Sequence, residues 1–148
     1  MKTIDKYSYQ CGVMDCFNEM IKAGVKTMAL AHPFSTREER DSYIAFVEEI
    51  TKKYHTFYYL DDDPLITDLF PYHLNRGTYN IIFYKDATYI EKYQQLKEEK
   101  REAIINHQYA QKRRNIAYQF GYLLHYSDEI IQKYLLENQE KEDDFGEI

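Results

Sequence analysis

Hydrophobic side chains recur along this chain at two spacings, which predict helices and strands. The segment Ser8–Ala23 has the helical spacing, because its apolar residues fall three or four positions apart, and Gly24 supplies a left-handed stop. Three short segments are instead mainly apolar on both faces. This second pattern predicts buried strands over Val25–Ala31, His55–Leu60 and Tyr79–Tyr84.

The helical spacing returns between and after these strands. One helix begins at the overlapping capping boxes Ser35–Glu38 and Thr36–Glu39 and keeps one apolar stripe as far as Tyr54. A short helical turn is predicted over Leu65–Phe70, after an aspartate–proline pair that suits a helix start. Three more helices follow the third strand: one near Thr88, one with an apolar stripe from Ile116 to Leu124, and one from Ser127.

This order of elements predicts an α/β fold. We expect a small three-layer domain with a short, mostly parallel three-stranded sheet flanked by helices, and a helical C-terminal extension. The strand Val25–Ala31 is expected in the middle, because its small side chains suit helices on both faces. About 18 residues separate the second strand from the third, which is only just enough for a parallel connection. An antiparallel third strand therefore stays open.

Length and composition bound the class of protein. The chain has 148 residues, of which 44% are hydrophobic and 30% charged, and its formal net charge is −6. We expect a single α/β domain over residues 1–138, including the C-terminal helices, and an acidic, frayed tail over residues 139–148. The chain opens on no secretory signal and holds no run of about 18 apolar residues. These features predict a cytoplasmic protein with reduced thiols.

Polar side chains follow each of the three predicted strands. In a parallel sheet the carboxyl ends of the strands meet at one edge, where open α/β sheets bind ligands. We expect a ligand site at this edge, formed by His32, Ser35, Arg37, Asp61, Asp62 and Lys85. Plain capping of the following helix is the alternative explanation for Ser35.

Asp61, Asp62 and Asp63 form the strongest candidate for metal chemistry. Three adjacent carboxylates repel each other, and a hard cation such as Mg²⁺ would relieve that repulsion. The alternative is that Asp63 caps a turn while Asp61 and Asp62 stay solvated, since aspartate is common in turns. The two cysteines and five histidines have no zinc-like spacing, and no other cofactor is implied.

The C-terminal helices predict self-association. The segment from Ile116 to Leu136 carries four tyrosines beside its Ile, Leu and Phe residues, more apolar surface than three strands easily cover. We therefore expect a homodimer with two-fold symmetry through these helices. Lys112–Arg114 is a short basic cluster, but the acidic balance of the chain argues against a nucleic-acid partner. No membrane partner is expected.

The sequence contains no catalytic signature. It favours a non-enzymatic module that binds a small ligand or a protein partner. The alternative is a small metal-assisted hydrolase or phosphoryl-transfer enzyme that uses Asp61 and Asp62 with His32. That alternative depends only on the expected position of these residues at the sheet edge, and a fold does not define a function.

Overall fold

A computed structural model describes residues 2–143 of the chain. Within this range the chain forms two compact units. Unit 1 comprises residues 2–63 and 77–87, and unit 2 comprises residues 64–76 and 88–143. The single domain over residues 1–138 stays a prediction, and positions 144–148 of the predicted tail lie outside the described residues.

Unit 1 contains, in chain order, α1 (Lys6–Lys22), β1 (Met28–Leu30), α2 (Arg37–Asp41), α3 (Ile44–Tyr54), β2 (Phe57–Asp61) and β3 (Asn80–Tyr84). The predicted stop after α1 is confirmed, because Gly24 has a φ of +82°. The single helix predicted from Thr36 to Tyr54 is divided into α2 and α3 by a turn at Ser42 and Tyr43. Thr36 caps α2, since its hydroxyl accepts the N–H of Glu39 at 3.1 Å.

The sheet of unit 1 is antiparallel, with the strand order β1-β3-β2. Phe83 of β3 lies opposite Ala29 on one side and opposite Tyr58 on the other. The predicted mostly parallel sheet, with β1 in the middle of a three-layer α/β domain, is therefore wrong. Ile81 and Ile82 point to opposite faces of β3 and are both fully buried. In β3 this pattern results from its central place, but β1 and β2 show a similar pattern at the edges, and the pattern carries no information about direction.

The core of unit 1 lies on the sheet face that carries Ala29, Phe83 and Tyr58. Met14 of α1 and Val47 of α3 join this cluster with no exposed surface. At the edge of the core, the Tyr7 ring stacks on the Tyr43 ring with centroids 4.7 Å apart. The apolar stripes predicted for α1 and α3 thus supply one cluster, which positions the ends of β1 and β2.

Unit 2 consists of helices joined by aromatic contacts. Its helices are α4 (Tyr72–Asn75), α5 (Ala87–Ile105, apart from its first residue), α6 (Tyr109–Leu123) and α7 (Asp128–Glu137). The Phe70 ring lies edge-on to the Phe120 ring, with centroids 6.3 Å apart, and 5.9 Å from the Tyr134 ring. These contacts hold the segment before α4 against α6 and α7.

The helical turn predicted over Leu65–Phe70 is wrong, because that segment is irregular and the short helix α4 follows it. Its backbone groups bond to side chains instead. The Leu69 N–H donates to the Thr67 hydroxyl at 3.1 Å. The Asn138 amide donates to the carbonyls of Asp68 and Phe70, at 2.9 and 3.1 Å. Side chains that satisfy the backbone in this way compete with helix formation.

Three histidines end helices in the left-handed conformation. His55, His107 and His125 have φ values of 57°, 55° and 69°. At each position the next residue donates its N–H to a carbonyl in the last turn of the helix, as when the Tyr126 N–H donates to the Gly121 carbonyl at 2.9 Å. Histidine tolerates this conformation better than most residues do. These three histidines therefore have a structural role as helix stops.

Candidate functional site

The antiparallel order divides the residues predicted to form one ligand site. β1 and β2 end at the same edge of the sheet. Five of the predicted residues lie at or just after these ends: His32, Ser35, Arg37, Asp61 and Asp62. Lys85 is not brought to this edge. β3 runs the other way, and the Lys85 N–H donates to the carbonyl of Thr27, ahead of β1, at 3.0 Å. Asn80, at the beginning of β3, instead lies opposite Asp61.

Arg40 connects the elements that meet at this edge of the sheet, and the sequence analysis did not predict this role. Its side chain is only 3% exposed. The guanidinium donates to the carboxylates of Asp41 and Asp62, both at 2.8 Å, and to the backbone carbonyl of Asn80 at 3.4 Å. Arg40 therefore ties α2, the end of β2 and the beginning of β3 together. It lies in the charged run Arg37–Asp41, which has the composition of a solvated helix face, so no sequence signal marked its burial.

Arg37 lies at the surface beside this network. Its guanidinium is 3.3 Å from the Asp62 carboxylate and 5.6 Å from the centroid of the Tyr79 ring. A groove of about 400 Å³ opens here, lined by Ser35, Thr36, Arg37, Glu38 and Tyr79. His32 is exposed and does not line it. The predicted Ser35 and Arg37 thus share a groove, and Asp62 contacts its rim.

The three aspartates at the end of β2 have three different environments. Asp61 is 1% exposed, and its carboxylate accepts the N–H of Asp63 at 3.1 Å, which closes a turn. Asp62 pairs with Arg37 and Arg40, whereas Asp63 is exposed. Among residues 2–143, no group of three or more His, Cys, Asp or Glu side chains has an arrangement that could hold a metal ion. The Mg²⁺ site stays a prediction from the sequence.

A thermal-shift measurement with magnesium tests this metal prediction. We expect no change in the melting temperature, because Arg37 and Arg40 already compensate the Asp62 charge. A bound cation at 100 times its dissociation constant would add about 2.7 kcal/mol of stability, enough for a rise of several degrees. A rise of that size that is lost in Asp62→Asn and kept in Asp143→Asn would contradict this expectation. Calcium serves as the second cation, since it accepts a looser oxygen shell.

A second cluster lies in unit 2 and holds the described end of the chain. The Asp68 carboxylate receives two hydrogen bonds from the Arg113 guanidinium, at 2.8 and 2.9 Å. The Arg113 guanidinium also donates to the backbone carbonyl of Glu142, at 2.7 Å. The ammonium of Lys100 lies 2.7 Å from the Glu142 carboxylate, which is 8% exposed. Burial is the main cause that raises the pKa of Tyr109, and the charge of Glu142 adds to it.

The solvent side of α6 forms the third candidate site. Its groove, of about 340 Å³, is lined by six residues that we call the α6 face: Gln111, Arg114, Asn115, Tyr118, Gln119 and Tyr122. The guanidinium of Arg114 is 5.3 Å from the centroid of the Tyr118 ring, and that ring lies edge-on to Tyr122 at 6.1 Å. The Tyr122 hydroxyl donates to the Asp128 carboxylate at 2.5 Å. This hydrogen bond is the main cause that raises the pKa of Tyr122.

Comparisons with known proteins give no relative for this chain. No family model matches it, and no curated protein or solved structure matches it. None of the helices in residues 2–143 is both long and apolar enough to cross a membrane.

Proposed function

We propose that this chain is a non-enzymatic module that binds an acidic segment of a protein partner through the α6 face. One observation carries the proposal. α6 has no acidic side chain in its 15 residues, and its solvent side combines cations with tyrosines. Tyrosine and arginine are enriched where protein interfaces concentrate their binding energy.

The aromatic side chains of the α6 face are already ordered. Tyr118 contacts both Arg114 and Tyr122, and Tyr122 is held at its hydroxyl by Asp128. Tyr122 is still 44% exposed, so a large part of its ring is available to a partner. Side chains that are ordered before binding lose less conformational entropy when the partner binds.

The charge of the α6 face defines the partner as acidic. Arg114 on this face and the neighbouring Lys112 of α6, which does not line the groove, are exposed, and neither makes an ion pair within the described part of the chain. The basic residue between them, Arg113, points inward to Asp68. Two exposed cations on a chain with a net charge of −6 favour a short acidic peptide segment over a phosphate backbone. Nucleic-acid affinity grows with the number of phosphates that cations neutralise.

Fluorescence anisotropy with a labelled oligo-glutamate peptide tests the proposal. At low ionic strength we expect the full chain to bind the peptide. Tyr118→Ala should weaken binding by about tenfold, which corresponds to about 1.4 kcal/mol. Arg114→Glu should abolish it, because the reversed charge repels the peptide.

The matched control is Lys22→Glu, which makes the same charge change at an exposed position of α1. It should weaken binding of the peptide far less than Arg114→Glu does, since Lys22 is not part of the α6 face. The proposal fails if the peptide does not bind, or if Lys22→Glu weakens binding as much as Arg114→Glu does. Tighter binding of a labelled oligo-uridylate, also lost in Arg114→Glu, would identify a nucleic-acid module instead.

The other functional expectations stay predictions. Small-ligand binding at the sheet edge is supported by the groove that Ser35 and Arg37 share, and the metal-assisted enzyme has no further support. The cytoplasmic location is likewise a prediction.

The predicted dimer through the C-terminal helices has less exposed apolar surface to bury than the sequence suggested. Most of those apolar side chains are buried within the protein: Ile116, Phe120, Leu123, Leu124, Ile131 and Leu135.

A further inference from the structure

β2 is an outer strand of the unit 1 sheet: β3 pairs with one of its long sides, and no strand of the described residues pairs with the other. Its five residues pair with β3 without a bulge. Proteins commonly protect such edges with lysine, proline or a bulge, because an exposed edge can pair with another strand. β2 has none of these, and its only charged residue, Asp61, is buried. Phe57 at its beginning is 52% exposed. The opposite edge strand, β1, has only three residues.

The hydrogen bonds of β3 show which backbone groups of β2 point outward. The Ala31 N–H donates to Ile81, and the Lys85 N–H donates to Thr27, so the odd-numbered residues of β3 face β1. Bonding direction alternates along an antiparallel strand, so the even-numbered residues Asn80, Ile82 and Tyr84 face β2. Their partners on β2 are Asp61, Tyr59 and Phe57.

The remaining residues of β2, Tyr58 and Leu60, therefore direct their N–H and C=O groups away from β3. Within residues 2–143, no group hydrogen-bonds to the backbone N–H or C=O of Tyr58 or Leu60 on this outer side. Their side chains, in contrast, pack against the core cluster of unit 1. The core thus fixes the strand while its outer hydrogen-bonding groups stay available.

We propose that β2 pairs antiparallel with β2 of a second copy of this chain, about a two-fold axis at Tyr59. In this register Tyr58 of each copy lies opposite Leu60 of the other, and each such pair exchanges both backbone hydrogen bonds. The two Tyr59 side chains then lie opposite each other. The outward groups of β2 are thus satisfied by the same groups of a second copy, as a two-fold interface requires.

Charge complementarity also favours a second copy. Exposed Lys52 and Lys53 precede β2, whereas the exposed Asp63 follows it; Asp62, which pairs with Arg37 and Arg40, is not counted in this match. Antiparallel pairing brings the beginning of one β2 beside the end of the other. Each lysine pair therefore approaches Asp63 of the second copy, and the contact occurs twice. The complementary charges thus flank the same strand, β2, of this chain.

Sedimentation of the full chain over a concentration series tests the pairing. We expect a monomer–dimer equilibrium in the wild type. Leu60→Pro should abolish the dimer, because it removes an outward N–H and leaves the bonds to β3 intact. Leu136→Glu, at an exposed position of the C-terminal helices, should leave the dimer unchanged. A wild-type monomer at every concentration, or a dimer that Leu136→Glu disrupts and Leu60→Pro does not, would overturn the proposal.

A charge swap keeps the test decisive if Leu60→Pro does not fold. The Lys52→Glu/Lys53→Glu variant and the Asp63→Lys variant should each sediment as monomers. Their mixture should form a heterodimer, because each mutated site then meets its opposite charge. Hydrogen exchange adds a local readout: the Tyr58 and Leu60 amides should become slower to exchange as concentration rises. Two variants that do not associate when mixed, or exchange at these amides that does not change, would contradict the pairing.

Discussion

Replacing Arg113 with methionine is expected to lower the free energy of unfolding by about 3–5 kcal/mol. The Arg113 side chain is 17% exposed and the Asp68 side chain only 7%, so removing the guanidinium leaves a buried carboxylate without its main partner. The same substitution removes the donor to the Glu142 carbonyl. Urea unfolding followed by circular dichroism measures the change.

Arg114→Met is the matched control, since it makes the same change one residue further along α6 at an exposed position. Its effect should stay within about 0.5 kcal/mol. Adding Asp68→Leu to Arg113→Met should recover much of the lost stability, because an apolar pair replaces the uncompensated charge. Equal losses in Arg113→Met and Arg114→Met would show that the buried pair does not stabilise unit 2.

Ending the chain after Asn138 is expected to lower the free energy of unfolding by about 2–4 kcal/mol, on the scale of a few hydrogen bonds to charged groups. This truncation removes the Glu142 carboxylate from Lys100, at 2.7 Å, and the Glu142 carbonyl from Arg113. It also removes the Glu140 carbonyl, which accepts the Tyr72 N–H at 2.8 Å. Thermal and urea unfolding of the two chains give the comparison.

Ending the chain after Asp143 keeps all of these contacts and is the control truncation. It should match the full chain within about 0.5 kcal/mol. Glu142→Gln separates charge from length, because it keeps the backbone and replaces only the carboxylate. A chain that ends after Asn138 and unfolds like the full chain would show that these contacts add no stability, as a frayed tail would predict.

The positions of the strands could be predicted from the sequence, but their order and direction could not. β1, β2 and β3 each lie within or beside a segment that is apolar on both faces. The pattern of β3 results from its central place, where Ile81 and Ile82 are buried on opposite faces. Strands of either direction produce this pattern. The connection of about 18 residues before β3 allowed both directions.

The candidate sites show the same limit. Ser35, Arg37 and Asp62 were predicted to lie together because they follow β1 and β2, and they share an edge. Lys85 was included only through the parallel assumption. Arg40 could not be identified, since its burial depends on the long-range contact with Asn80.

More of the α6 face could have been predicted from the sequence. Its tyrosines and the basic cluster Lys112–Arg114 were both visible, but they were assigned to different partners. The missing signal is the absence of any acidic residue from Tyr109 to Leu123. What the sequence could not show is that Arg113 faces inward to Asp68 while Arg114 contacts Tyr118. The proposed binding surface on the outer side of the helix depends on that division.

Amide chemical-shift mapping of the labelled full chain with oligo-glutamate tests the central claim most directly. We expect the shifts to change along the α6 face, at Gln111, Arg114, Tyr118 and Tyr122, and Arg114→Glu to remove these changes. Shift changes confined to unit 1, for example at Ser35 and Arg37, or no changes at any peptide concentration, would contradict it.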